Sequence, residues 1–167
     1  MRAAIIVGWM AVGVAPAAQA ACVNVPNLPA SVHYELPAPW TTHGDLYACG
    51  VHKGIDFKIG YNAPVYAVAA GTVVAKGNEA CHGKWIVLRH PDGVYSAYAH
   101  LLSIPLDLDP GDAVGLQTEI ARSGYTGTCV QPPGINGSHL HLSMSTNWID
   151  WNSSSFFDPK PYIGLRN

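Results

Sequence analysis

Histidine is frequent in this chain, and four of the histidines fall in patterns that could hold a metal ion. The chain has 8 histidines beside only 9 lysines and arginines together. In the segment HKGID, His52 and Asp56 are four residues apart, with Gly54 between them. On an extended segment these positions share one face, and the glycine removes a side chain that would block a cation from reaching both ligands. An imidazole and a carboxylate suit zinc, so this segment is a candidate metal site.

Two further segments place histidines on predicted strands. In the segment HLH, His139 and His141 lie on one face of a strand, about 6.6 Å apart, while the leucines at alternate positions point into the core. In the segment YAH, Tyr98 and His100 are expected to share a face in the same way. Taken singly, each segment is also typical of structural histidines, either on an edge strand or hydrogen-bonded inside the fold.

Together these segments supply the groups that metal-assisted hydrolysis needs. A catalytic zinc requires three protein ligands and an open position for water, and hydrolysis requires a base nearby. The spacing alone does not decide which three residues hold the metal. The five candidates are His52, Asp56, His100, His139 and His141.

Short strands joined by turns are expected to position these residues. The chain contains 17 glycines and 13 prolines, too many for long helices. The clearest hairpin pairs residues 84–89 with 94–101, because Pro91-Asp92-Gly93 presets a turn between two β-branched runs. The fold class is therefore all-β. Further strands are predicted at 65–70, at 72–75 after an interruption by Gly71, at 118–123 and at 140–144, with a surface loop over 125–137.

The N-terminal residues have the pattern of a secretory signal. One positive charge, a short apolar stretch and the small residues Ala18 and Ala20, three and one before the expected cleavage point, are its three parts. The apolar stretch is shorter than the roughly 20 residues that span a bilayer, and no later run predicts a transmembrane helix. We expect a monomer exported to the periplasm or the extracellular space. Its predicted parts are a signal peptide (1–20), an extended proline-rich segment (21–45), a catalytic core (46–145) and a C-terminal tail packed on the core (146–167).

Four cysteines predict two disulfides in an oxidising compartment. We favour the pairs Cys22–Cys49 and Cys81–Cys129 among the three possible pairings. Lipidation of Cys22 is disfavoured, because it would leave an odd thiol and because Gln19 stands where lipoprotein signals usually have leucine. No CxxC spacing indicates a structural zinc–thiolate site.

Composition excludes a polyanion as the partner. Charged residues make up only 12% of the chain, and the net charge is -2. No basic patch for nucleic acid is therefore expected, whereas the 49% of hydrophobic residues predicts a packed globular core.

The ordered segments HKGID, APVYAVAAGTV, YAHL and GSHLHL resemble those of the lysostaphin-type (LytM-like) zinc endopeptidases, which cleave peptides of bacterial peptidoglycan. The resemblance implies a small antiparallel β-sheet groove of the barrel-sandwich kind, with Zn2+ on its floor. By motif, His52, Asp56 and His141 match the metal ligands. His139 and His100 match the pair that activates water and stabilises the developing oxyanion. The implied function is a secreted zinc endopeptidase that hydrolyses cross-bridge or stem peptides of peptidoglycan.

Two other classes of protein are compatible with parts of this pattern. A catalytically inactive relative would bind peptidoglycan or activate another hydrolase, but such relatives lose ligands, and all five polar positions are filled here. A cupin-like metal barrel also carries HxH on a strand. It would need a glutamate three or four residues past His141, where Met144 and Ser145 stand.

Overall fold

The computed structural model describes residues 32–38, 40, 42–49, 51–149, 151 and 155–165. The predicted signal peptide, Cys22 and the first part of the proline-rich segment lie outside these residues. The strands within them are β1 (Ile55–Phe57), β2 (Pro64–Tyr66), β3 (Gly71–Glu79), β4 (Gly83–Arg89), β5 (Tyr95–Ser103), β6 (Ala113–Val114), β7 (Glu119–Ser123), β8 (Leu140–Ser145) and β9 (Phe156–Phe157), with one 3-10 turn at Ile135–Gly137.

All of these strands belong to one antiparallel sheet. Its main order is β1-β8-β5-β4-β3-β6, with β9 on β8, and with β2 paired to β7, which in turn pairs with β5. The prediction of an all-β fold is confirmed. We find no helix among the described residues that could span a bilayer.

The predicted hairpin is confirmed as β4 and β5, which pair from Arg89 and Tyr95 onward. Its turn is closed by a hydrogen bond from the His90 N–H to the Val94 carbonyl (2.8 Å). Gly93 in this turn has a φ of 85°, which glycine adopts without steric cost.

One predicted strand is shorter in the structure than expected. Residues 65–70 were predicted as extended, but β2 ends at Tyr66 and β3 begins at Gly71. Between them Ala67, Val68 and Ala69 are fully buried, and the backbone N–H groups of Ala67 and Val68 bond outside a strand ladder. The Ala67 N–H donates to the Thr118 carbonyl, and the Val68 N–H donates to the Tyr98 hydroxyl. Consecutive buried residues, without alternation between core and solvent, therefore form a buried connection between β2 and β3 rather than a strand.

The core lies on one face of the central strands. Leu140 and Leu142 of β8 are fully buried in it, as the HLH pattern predicts. Trp40, from the N-terminal segment, is also fully buried and packs on Phe57, with ring centroids 5.2 Å apart. The β8 strand therefore faces the core with its leucines and leaves its alternate positions to the opposite face.

The prediction that Tyr98 and His100 share a face is wrong. Tyr98 packs in the core, whereas the His100 ring lies beside the rings of His139 and His141. The register of β4 with β5 shifts between Ile86 and Lys84, and His100 has a φ of 60°. This irregularity turns the histidine to the opposite face, which simple alternation cannot anticipate.

The Cys81–Cys129 disulfide is confirmed. It joins the β3–β4 turn to the loop that follows β7. The other predicted pair involves Cys22, which lies outside the described residues, and it stays a prediction.

Candidate metal centre

Asp56 and His141 face each other across neighbouring strands. Asp56 is the middle residue of β1 and pairs in register with His141 of β8. Since the flanking Ile55 and Phe57 are buried in the core, alternation directs Asp56 to the other face. His52 precedes β1 and is held by an isolated bridge to Ala48. Three segments are thereby brought to one point.

The three side chains converge closely enough to share one ion. His141 Nδ1 lies 2.8 Å from Asp56 Oδ1, and His52 Nε2 lies 3.2 Å from the same oxygen. His52 Nε2 and His141 Nδ1 are 3.2 Å apart. One ligand atom from each residue lies within 4.8 Å of the others.

Gly54 is required for this approach, but for a different reason from the one expected. A Cβ at this position would lie 2.4 Å from the Leu142 carbonyl oxygen and 2.6 Å from His141 Nε2. The glycine therefore makes room for β8 and the His141 ring, so that His52 and Asp56 can reach the same point as His141. A side chain here would push the two segments apart.

Backbone carbonyls fix the orientation of three of the imidazoles. A carbonyl only accepts, so a ring nitrogen beside it must donate. His52 Nδ1 donates to the Leu46 carbonyl (2.9 Å), His100 Nδ1 to Thr126 (2.9 Å) and His139 Nδ1 to Gly137 (2.7 Å). In the neutral form, each of these rings therefore carries a lone pair at Nε2.

This orientation fits a cation at the centre of the cluster. In neutral His52, the Nε2 lone pair faces an oxygen of Asp56, and two acceptors at 3.2 Å need a positive charge between them. His141 Nε2 hydrogen-bonds with the Ser143 hydroxyl (2.9 Å); when Nε2–H donates to this oxygen, the lone pair of Nδ1 is free to coordinate. Two imidazole nitrogens and one carboxylate are a donor set that suits zinc.

His139 and His100 lie beside this group. His139 Nε2 is 3.6 Å from Asp56 Oδ1, and the His139 and His100 rings are 4.7 Å apart between centroids. All five residues selected from the sequence are thus brought into one cluster.

Burial and hydrogen bonding set the charges of the cluster. Burial alone would raise the pKa of Asp56, but hydrogen bonding with His141 and His52, which needs a proton on the ring nitrogen that faces the carboxylate, outweighs it and holds the pKa well below its usual range. Burial lowers the pKa of His141, and it lowers the pKa of His100 to about 4. Burial also acts to lower the pKa of His52, yet hydrogen bonds to Asp56 and the Leu46 carbonyl raise it. The carboxylate is therefore charged at neutral pH, while His100 and His141 are neutral.

His82 and Trp151, to which the sequence analysis assigned no functional role, form an aromatic wall beside the cluster; the position of His82 next to Cys81 indicated only that it could border the groove. The two rings of the wall stack with centroids 3.9 Å apart, and the His82 ring lies 6.2 Å from the rings of both His100 and His141. Glu79 hydrogen-bonds to the ring and backbone of His82. His82 follows Cys81, and the disulfide from Cys81 to Cys129 holds the β3–β4 turn close to the loop after β7.

A groove passes over the cluster. Two cavities, of about 530 Å³ and 420 Å³, share Asp45, Asp56, Gln131 and His139 in their walls. The larger one extends along the loop that precedes β8. The smaller one is bordered by the wall of His82 and Trp151. An extended chain lying in the groove would therefore cross the cluster.

Known proteins resemble this chain in sequence and in fold. The sequence profile of peptidase family M23 matches residues 50–153. The DD-carboxypeptidase/endopeptidase Mpg of Neisseria meningitidis is 27% identical over 142 residues, which are 82% of this chain and 30% of that protein. The peptidoglycan DD-endopeptidase ShyA of Vibrio cholerae is 31% identical over 93 residues, 56% of this chain and 20% of that protein.

A solved structure with a similar fold is that of the antimicrobial peptidase lysostaphin from Staphylococcus simulans. Its TM-score is 0.66 at 27% identity, and the match covers 79% of this chain and 53% of that one. The chain spans less than a third of the length of the two curated relatives.

Proposed function

Because the chain belongs to peptidase family M23, we propose that it is a zinc-dependent endopeptidase that hydrolyses peptide bonds of bacterial peptidoglycan, in the cross-bridge or the stem peptide. The observation that carries the proposal is the convergence of His52 Nε2, Asp56 Oδ1 and His141 Nδ1 beneath an open groove. The name of the Vibrio cholerae relative supports peptidoglycan as the substrate, and the reference to DD in both names makes a D,D-cross-link the first substrate to test.

In this proposal, His52, Asp56 and His141 hold the zinc ion. Bound zinc would polarise the scissile carbonyl and lower the pKa of water toward about 7. The protein keeps the ligands ready by fixing His52 through the Leu46 carbonyl and His141 through the Ser143 hydroxyl. Such partners of metal-binding histidines determine ring orientation and ligand basicity.

His139 is the general base of the proposed mechanism. Its Nδ1–H is held by the Gly137 carbonyl, which leaves the Nε2 lone pair directed toward the cluster. At that atom it takes the proton from the attacking water and then gives it to the leaving amine. A positioned base of this kind contributes about 10²–10⁴ to the rate.

His100 orients the water rather than donating to the oxyanion. The Thr126 carbonyl holds its Nδ1–H, and a pKa of about 4 keeps the ring neutral. Neutral His100 therefore offers only a lone pair at Nε2. A water that donates one hydrogen bond to this atom is held in place for transfer of its other proton to His139.

The test is digestion of purified cell wall by the zinc-loaded protein. We expect soluble fragments with new amino and carboxyl ends, and loss of digestion when a chelator removes the metal. Asp56→Asn, which keeps the shape of the side chain, is expected to fold and to release no fragments. Wall binding without fragment release by the zinc-loaded wild type would contradict the proposal and favour the inactive, wall-binding class of relative.

We further propose that the protein acts outside the cytoplasm as a monomer. The Cys81–Cys129 disulfide supports this location, because disulfides persist in oxidising compartments. Fractionation of producing cells tests it: recovery in the cytoplasm with reduced thiols would contradict export.

A further inference from the structure

We propose that Lys58 binds a carboxylate of the substrate peptide in the larger cavity, so that the enzyme prefers peptides carrying a free carboxylate close to the scissile bond. The inference rests on the proposed peptidase function and adds a substrate feature to it. Its basis is an ammonium group that has no partner among the described residues and stands in the wall of a cavity that also includes Asp56 and His139.

Lys58 follows the metal-ligand strand on the same face as Asp56. Ile55 and Phe57 of β1 are buried in the core, so alternation places Asp56 and Lys58 together on the groove side. The Lys58 N–H donates to the Thr42 carbonyl (2.8 Å), which continues the extended course beyond the end of β1. Two residues of strand span about 6.6 Å, so the lysine stands within one or two peptide units of the cluster.

The ammonium group of Lys58 is available to a ligand. It forms no side-chain hydrogen bond or ion pair with any residue in the described part of the chain. Three other lysines bond within the protein: Lys53 to the Trp151 carbonyl, Lys76 to Asp109 and the Leu108 carbonyl, and Lys84 to the Leu102 carbonyl. Lys58 alone of these four therefore has its charge free for the groove.

Neither carboxylate in the same cavity pairs with Lys58 among the described residues. Asp56 bonds with His52 and His141. Asp45 forms no ion pair with Lys58 among the described contacts. The stem of Lys58 crosses Gly44, where a Cβ would lie 3.1 Å from Lys58 Cε. A glycine at this position gives the stem room to lie against the cavity wall.

The rest of the cavity suits a peptide. Tyr61, Ile135 and Asn136 line it beside Lys58. Ile135 and Tyr61 are exposed, and the Tyr61 ring packs against Tyr125 with centroids 5.6 Å apart. Tyr61 and Ile135 offer apolar contact, and the Asn136 amide offers hydrogen bonds, around the positive charge of Lys58. A carboxylate on a peptide backbone matches it better than a neutral peptide does.

The experiment compares synthetic cross-linked stem peptides that differ at one position, where a carboxylate is replaced by its carboxamide. Wild-type enzyme loaded with zinc is expected to cleave one carboxylate peptide with a kcat/KM about tenfold above that of its carboxamide partner, mainly through KM, as a charge-assisted hydrogen bond provides. Lys58→Ala should bring this ratio close to one by slowing only the carboxylate peptide. Lys58→Arg should keep most of the preference.

Lys76→Ala is the control, because it removes the same charge at a position that lines neither cavity and should leave the ratio unchanged. A preference that survives in Lys58→Ala, or the absence of any preference in the wild type, would overturn the inference.

If zinc-loaded wild type cleaves none of the peptides, the proposed function fails, and the inference is then decided by fluorescence anisotropy with the same labelled peptides. Tighter binding of a carboxylate peptide that depends on Lys58 supports it. Equal binding by wild type and Lys58→Ala overturns it.

Discussion

Two buried groups of histidine and serine lie in this sheet, one around His90 and one around His141. His90 Nδ1 donates to the Ala70 carbonyl (2.9 Å), and its Nε2 hydrogen-bonds with the Ser96 hydroxyl (2.8 Å). His141 likewise has a serine partner, Ser143, at 2.9 Å. The second nitrogen of His141, however, faces Asp56 and His52 rather than a backbone carbonyl.

The two groups differ in whether one imidazole nitrogen remains available to the cluster around Asp56. Both nitrogens of His90 are used inside the core, and the network continues from Ser96 to the Tyr98 hydroxyl (3.1 Å), which also accepts from the Val68 N–H. The rings of His52, His100 and His139 use only Nδ1 on the backbone. A histidine with both ring nitrogens hydrogen-bonded in the core stabilises the fold. Several histidines that each keep one ring nitrogen available around a carboxylate can bind a ligand.

The largest expected effect that separates the two groups is on catalysis. His139→Ala and His100→Ala should each lower kcat by about 10²–10⁴ while retaining zinc, because they remove water activation and no ligand. His90→Ala, measured beside them, should leave kcat unchanged. Zinc analysis and cell-wall digestion of the three variants check this. Loss of zinc from His139→Ala would show that it is a ligand.

The next effect distinguishes the two serines. Ser143→Ala should lower zinc affinity by about 10–100-fold, since it removes the hydroxyl that orients His141. Ser96→Ala, which removes the corresponding partner of His90, should leave zinc affinity unchanged. Competition with a chromogenic chelator measures both variants. Equal zinc affinity in wild type and Ser143→Ala would mean that His141 is oriented by packing alone.

A smaller effect is expected on stability. His90→Ala should lower the free energy of unfolding by about 1–3 kcal/mol, because the Ala70 carbonyl and the Ser96 hydroxyl lose a partner in the core. Zinc stoichiometry should remain that of the wild type. Urea unfolding of the metal-free proteins gives the difference. An unchanged free energy of unfolding would contradict a structural role for His90.

The smallest effect is the pH dependence of that difference. Burial lowers the pKa of His90 from its usual 6.5, so the folded protein binds this proton less readily than the unfolded chain. The stability contributed by neutral His90 is complete above pH 6.5 and is lost as the pH falls toward the lowered folded value. The gap between wild type and His90→Ala should therefore narrow from pH 7.5 to pH 5, and a gap that widens on acidification would contradict it.

The sequence was sufficient to predict the fold class, the β4–β5 hairpin and the residues that meet at the cluster. These features follow from local rules: alternation along β8 and the turn at Gly93. Alternation failed at His100, because a positive φ at a residue other than glycine turns the side chain to the opposite face. No local pattern predicts such an irregularity, since neighbouring strands determine it.

Contacts between segments far apart in the chain could also not be predicted from the sequence. The stacking of His82 on Trp151 depends on how the C-terminal segment returns to the β3–β4 turn. The role of Gly54 was assigned to access by the ion, whereas the structure shows contact with β8. Both outcomes depend on packing between segments far apart in the chain. Residue spacing carries no information about that packing.

The most direct test of the central claim is a crystal structure of the zinc-loaded protein with anomalous data collected at the zinc edge. The account predicts one strong peak about 2.0–2.2 Å from His52 Nε2, an Asp56 carboxylate oxygen and His141 Nδ1. His139 and His100 should lie beside the ion without coordinating it. A peak held instead by His82 and Glu79, or no peak at this cluster at saturating zinc, would contradict the account.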